Sequence, residues 1–368
     1  MRTQILLCLL FFSLKGYAQQ EIDLAGNLSN YDEIPLSKVA SKVEYIPLET
    51  TDKCLLSNEL QIHWGKDDIF VGDIKMMKFY RFDKTGKFLN AIGEVGDGPE
   101  AYPNALAFFV DEEESCVYVI GSTTRTLYKY TYSGEFQKKI PMGISSWSIS
   151  TLKNNIVGYN NRYNRIKNQK EPVYELYLFD TNGKELAKAP TTVTSEKDDM
   201  LLFQLPFFYK YNNQLFYKNA VSEYIYHIGD DLSMSPHYKI TGGGNNQSEN
   251  DFRNIKKYAE KISVKQVSES DAWILISYVY KNKMAYLLYD KLKGTYANVR
   301  SGSENGFKDD LAGGPIFQPS HAGSSNLSCF LAVLPVEKAI ESNIPSLKEL
   351  SADANPVLGI ATLKSIYR

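Results

Sequence analysis

Short stretches in which apolar and polar residues alternate recur along most of the chain, broken by clusters of Asp, Asn, Gly and Lys. Lys78-Phe-Tyr-Arg-Phe-Asp83 is one such stretch and Lys87-Phe-Leu-Asn-Ala-Ile92 the next, with Lys84-Thr-Gly86 as a turn between them. Period-two alternation flanking a Gly-containing turn predicts a β-hairpin. Upstream, Glu59–Trp64 and Ile69–Gly72 flank a second turn, Gly65-Lys-Asp-Asp68. Four short strands in one unit result. Helical spacing is confined to two places. Phe252, Ile255, Ala259 and Ile262 follow Ser248, a candidate N-cap, and a second helical excursion spans Val336–Ser342 and Ser346–Leu350.

The hairpin phrase repeats. Phe82-Asp-Lys-Thr-Gly86 returns as Tyr130-Thr-Tyr-Ser-Gly134, as Phe179-Asp-Thr-Asn-Gly183, as the degenerate Ile228-Gly-Asp-Asp-Leu232 and as Tyr289-Asp-Lys-Leu-Lys-Gly294. The starts 82, 130, 179, 228 and 289 lie 48, 49, 49 and 61 residues apart. A four-stranded unit at a fixed period of this size predicts the blades of a β-propeller, a register that separate β-sandwiches would not produce. Five units are visible. The sixth must combine residues beyond about 306 with Val43-Glu-Tyr-Ile-Pro-Leu48, pairing with Val357–Leu363, so that both chain ends share one blade and no sheet edge is left open. The predicted fold is all-β: a six-bladed propeller of four-stranded antiparallel blades, with short helical insertions on one face.

The glycine-rich stretch Gly93-Glu-Val-Gly-Asp-Gly-Pro-Glu-Ala-Tyr-Pro103 invites a phosphate-binding reading. A phosphate cradle presents its amides at a helix N-terminus. Here the strand-like Ala105–Val110 follows, and the stretch reads as a joint between the first two blades.

Composition adds compartment and partner class. Met1-Arg2, the apolar run Ile5–Leu14 and the small residues of Gly16-Tyr17-Ala18 make residues 1–18 a secretory signal peptide, cleaved near Ala18. The expected location is the periplasm or cell exterior. A leader at 19–42 would precede a single domain at 43–368, with no transmembrane segment. Lys+Arg total 41 against 43 Asp+Glu; losing Arg2 and Lys15 leaves 39, a net charge near −4 that gives no support for a nucleic-acid partner. Cys54, Cys116 and Cys329 remain after cleavage, without CxxC spacing, so neither a disulfide framework nor a zinc site is expected. A monomer without a cofactor is expected, with calcium as the candidate if a divalent cation binds.

Taken together, the chain resembles the six-bladed β-propeller proteins exported by Bacteroidetes, distant relatives of NHL-repeat propellers. The resemblance covers nearly the whole mature chain. It rests on Val43-Glu-Tyr-Ile-Pro-Leu-Glu-Thr50, the Gly93–Tyr102 joint, the Phe-Asp-x-x-Gly-Lys turns, Asp309-Asp-Leu-Ala-Gly-Gly314 and Asn355-Pro-Val-Leu358. Asp309 and Ala312 depart from the family's usual Asn-Asp-Leu-Asp-Gly-Gly. The resemblance implies fold and export more than mechanism, since most such proteins have no assigned activity.

Strand parity then places function. In an antiparallel four-stranded blade the first and third loops leave one face, and the second loop and the inter-blade connection leave the other. The long segments 93–103, 160–172, 241–261 and 335–355 all belong to that second face, and loops on a rigid scaffold commonly carry function. Candidate ligand-binding residues there are Asn104, Arg125, Arg162, Tyr163 and Arg165; arginine beside tyrosine suits carboxylate or sugar ligands. Asp309 and Asp310 are candidate hard-oxygen ligands for a divalent cation, against the plainer reading of an acidic turn. Asp83, Asp180 and Asp290 read as turn residues, and His63 as structural. No Gly-x-Ser-x-Gly elbow occurs. The expected role is a non-catalytic binding module for a glycan, peptide or envelope protein. A metal-dependent hydrolase or lyase in the central channel and a protein-interaction scaffold stay open as alternatives.

Overall fold

In the computed structural model, residues 20–364 are described apart from 122–123, 162–173, 192–205, 249–250, 252–253, 321 and 324–327. Six antiparallel sheets follow one another around a ring. Blade 1 consists of Leu60–Trp64, Asp68–Asp73, Lys78–Asp83 and Phe88–Ala91, from the channel outward. Blades 2 to 5 repeat this order over 105–141, 149–190, 207–241 and 263–301.

Alternation explains why the middle strands are apolar almost throughout. In Asp68–Asp73, Ile69 and Val71 pack toward blade 6, whereas Phe70 packs toward blade 2. Both faces of each blade are therefore buried, and an apolar core fills each of the six gaps between neighbouring blades.

The repeated turn has a specific role in this stacking. Asp83 Oδ1 accepts from the amides of Thr85 at 2.8 Å and Lys87 at 3.1 Å, and Asp180 Oδ1 does the same with Asn182 and Lys184. Asp290 likewise accepts from Leu292 and Lys293, so these aspartates are turn residues as the sequence suggested. Gly86, Gly134 and Gly183 have φ of 87°, 87° and 86°. A Cβ at each would lie 2.2 Å from a carbonyl oxygen of the preceding blade's outer strand: Pro47, Ala91 and Pro141 respectively. The glycine recurs because each turn docks its backbone onto the blade before it. Leu232 in the degenerate copy keeps the left-handed conformation (φ 66°) and the same turn hydrogen bond, from its amide to the Gly229 carbonyl.

Blade 6 closes the ring as expected: Val357–Leu363 pairs on one side with Cys329–Leu334 and on the other with Ala40–Pro47. It departs from the four-stranded rule, since its sheet has three strands. The innermost position belongs to a stretch rich in Gly and Pro, including Pro315 and Pro319, which cannot sustain a ladder. Its end, Ala322–Gly323, pairs instead in parallel with Leu60–Trp64 of blade 1.

The leader is built into the ring. Gln20–Asp23 adds a parallel strand to the outer edge of blade 4, and Tyr31–Glu33 does so on blade 5. The strap buries its own Ile22, Leu24, Ile34 and Leu36 against the blades. The joint at 93–103 is confirmed as such: Tyr102 donates its amide to the Glu94 carbonyl at 3.1 Å, and its buried ring packs against Phe79, Tyr128 and Tyr130. No helix follows it. The 241–261 insertion needs a correction. Its helix is short, Ile255–Ala259, and Asn254 caps it by accepting from the Lys257 amide, while Ser248 makes a separate turn with Asp251. Asparagine supplies the same cap oxygen one residue before the helix. Phe252 lies outside the described residues.

Candidate functional site

The turns between first and second strands, and between third and fourth, are short throughout the five four-stranded blades. All the extended connections leave the opposite end of the ring. That end carries the joint at 93–103, the segment joining Tyr159 to Tyr174, the 242–262 insertion and the two helices Val336–Ile340 and Pro345–Lys348. Five of the nine large apolar side chains exposed among the described residues also lie there: Leu55, Met76, Val95, Met284 and Leu311.

Asn104 and Arg125 both lie at this end of blade 2, next to Ala105 and Thr126, which pair with Gly121 from either side. Arg125 is exposed, with φ 53°, and its carbonyl accepts from the Met142 amide at 2.9 Å. Arg162, Tyr163 and Arg165 lie outside the described residues. Asp309 and Asp310 do not converge on a common point. Asp309 is buried; its Oδ1 accepts from the amides of Leu311 and Ala312, and its Oδ2 from Gly314 and the Tyr45 hydroxyl, at 2.8–3.0 Å. Asp310 accepts from the amide and hydroxyl of Ser37. Both carboxylates are occupied in tying the blade 5–6 connection to the N-terminal segment.

One acidic cluster with thiol geometry lies at the other end, in the first turn of blade 2: Asp111, Glu114 and Cys116. Asp111 Oδ1 accepts from the amides of Glu113 and Glu114, Lys129 pairs with Glu114, and burial pushes the Cys116 thiol up to about 11. The carboxylates of Asp111 and Glu114 are thus engaged by backbone amides and by Lys129. His63 is held by Glu112, Nε2 to Oε1 at 2.9 Å, across the gap between blades 1 and 2. Cys54, Cys116 and Cys329 are free and buried.

Beneath the long loops of blades 3 to 5 lie charged groups that sequence reasoning missed. Glu175, fully buried at the start of a blade 3 strand, accepts from the Tyr217 hydroxyl and from Asn219 Nδ2 at 2.6 Å. The neighbouring Lys218 ends the strand Gln214–Lys218 and is 3 % exposed. Alternation turns Tyr217 toward blade 3 and Lys218, like Phe216, toward blade 5. Lys218 Nζ donates to the Asn219 carbonyl at 2.7 Å and to that of Ser222, which holds the loop 219–223. Burial brings its amine down to about 7, with Glu223 a weaker opposing influence. The signal was available: second strands are buried on both faces, so a lysine after Leu215-Phe-Tyr217 is anomalous.

Comparison with known proteins agrees with this architecture. The family described as "Domain of unknown function (DUF4934)" matches residues 19–362, so the chain belongs to it. A Bacteroides fragilis protein designated exported superposes with a TM-score of 0.74 at 19% identity, over 94% of this chain and 99% of the other. A member of the DUF4221 family from Bacteroides vulgatus superposes with a TM-score of 0.53 at 10% identity, over 89% and 97%. At these identities the likeness establishes fold. A search of curated proteins gives no match. Among the described residues no helix is long and apolar enough to cross a membrane.

Proposed function

We propose that this member of the DUF4934 family is an exported, non-catalytic binding module that holds a glycan, peptide or envelope protein on its long-loop face. The carrying observation is asymmetry: a ring packed through six apolar gaps keeps one end trimmed to tight turns and places its extended connections on the other. Rigid blades with elaborated loops preorganise a surface at low entropic cost. Asn104 and Arg125, at the long-loop end of blade 2, supply polar groups, and the exposed Met76 and Val95, which leave blade 1 on the same face, supply apolar ones. The signal-like residues 1–18, outside the described residues, support export.

The test uses the mature chain from Gln19 on glycan and peptide arrays, followed by thermal unfolding with each hit. A ligand at a hundredfold its Kd raises stability by about 2.7 kcal/mol. Met76→Glu and Arg125→Ala should each weaken the hit at least tenfold, while Leu292→Glu, in a short turn of blade 5, leaves it unchanged. A hit lost only with Leu292→Glu would overturn the reading.

A further inference from the structure

A small open-mouthed pocket lies on the long-loop face between blades 4 and 5, with an inner volume of about 10 Å³, room for one water-sized group such as a carboxylate oxygen. Its lining includes the apolar Ile240, Ile262 and Val264, the polar Ser222 and Asn246, and Lys218. Lys218 has three donors, and its two acceptors here are neutral carbonyls. Among the described residues no carboxylate lies within the 4.0 Å of an ion pair. Glu223 is the carboxylate that acts on it from a distance, and that group is engaged by Asn246 Nδ2 at 2.7 Å and lies 4.0 Å from Lys239. The strands packed on either side present Ile240 and Val264. A buried ammonium without a partner is costly, and an entering anion would relieve that cost.

Among the described residues that line the pocket Lys218 is the single cation, and none is an arginine. That matches a monoanion better than a phosphate. We propose that this pocket receives the carboxylate group of a small ligand, with Lys218 as its countercharge and the Ser222 hydroxyl at its rim. The proposal rests on the long-loop face being the binding face and names a ligand chemistry for it.

The experiment is a pH titration of the mature chain labelled with ¹³C at lysine Cε, followed by NMR, alone and with N-acetylglycine or D-glucuronate. One lysine signal should titrate near neutrality and vanish in Lys218→Met. Either carboxylate should move its midpoint upward by about one pH unit, the signature of a paired ammonium. Affinity for that carboxylate should be about tenfold weaker at pH 8 than at pH 6, following the protonated fraction. Movement with D-glucuronate alone identifies a sugar acid; movement with N-acetylglycine alone identifies a peptide carboxylate. An unmoved midpoint with both probes overturns the proposal, and the wild-type titration decides this even if Lys218→Met fails to fold. A long-loop ligand that binds Lys218→Met unchanged also overturns it, while leaving the binding module intact.

Discussion

Replacing Gly134 by Ala isolates the contact that gives the chain its repeat. Gly134 has φ 87°, and an added Cβ would sit 2.2 Å from the Ala91 carbonyl oxygen of blade 1. The left-handed backbone costs an L-residue about 1–2 kcal/mol. The contact is roughly 1 Å inside van der Waals distance against backbone, and forced overpacking of this kind adds about 1–3 kcal/mol. The sum is about 2–5 kcal/mol. Unfolding entropy near 2.1 cal/mol/K per residue gives about 0.7 kcal/mol per kelvin for a domain of this length, so Tm should fall by about 3–7 °C. Gly143→Ala is the internal control: φ is 65°, but nothing lies within 4 Å of its Cβ. It should lose only the backbone part, about 1–3 °C. The gain from a stiffer unfolded chain is the same in both and cancels. Calorimetry on the two variants decides. Equal shifts would refute the claim that the recurring glycine exists for blade-to-blade docking.

Three further outcomes follow from named contacts. Asn355 is buried, with Oδ1 accepting from the Leu56 amide at 2.8 Å and Nδ2 donating to the carbonyls of Glu49 and Cys54 at 2.8 and 2.9 Å. Asn355→Ala strands those groups and should cost about 2–4 kcal/mol in denaturant unfolding; a loss below 1 kcal/mol would contradict its role in closure. Lys218 is held near 7 when folded against an ordinary 10.5, so its burial penalty is fully present below pH 7 and disappears as pH rises through 10. Lys218→Met should therefore gain on the wild type by about 3–4 kcal/mol less at pH 10 than at pH 7. A pH-independent difference would place the amine in water. Because Asp309 is satisfied by three amides and a hydroxyl, EDTA should leave Tm unchanged while Asp309→Ala lowers it by several degrees. A fall in Tm with EDTA, reversed by calcium, would make Asp309 a ligand after all.

The ring was legible because its physics is local and repeated. Alternation marks each strand, and the docking glycines at 86, 134 and 183 recur at the spacing of one blade. Shared closure could be read from two apolar strands left over at opposite ends. The strap over blades 4 and 5 was not legible, since Gln20–Asp23 and Tyr31–Glu33 are too short to alternate and pair with strands more than two hundred residues away. The three-stranded blade 6 escaped for a related reason: its inner segment pairs with a neighbouring blade rather than its own. At the long-loop face, the loop lengths were legible in the sequence, but the buried charged residues beneath them were not. Arg125 stood out for its charge in a loop, whereas Lys218 was hidden within a strand pattern whose two-sided burial makes a charge exceptional.

The residues that carry the family resemblance have a further meaning once their contacts are known. Asp309 binds the turn that follows it and the Tyr45 hydroxyl; Asn355 binds both sides of the segment from Glu49 to Leu56; and the joint at 93–103 seats Tyr102 between two blades. Each joins chain segments that the ring must bring together. Such motifs can persist for the sake of closure whatever the protein binds. Specificity is then free to reside in segments that share no motif: the 242–262 insertion, the loop 219–223 held by Lys218, and the turn at Arg125. Exchanging the 219–223 loop between two members of the family should transfer ligand preference without altering Tm by more than a few degrees, because its anchoring lysine lies on the strand beneath it. Preference that instead followed a transplanted 309–314 turn would show that the closure motifs also recognise the ligand.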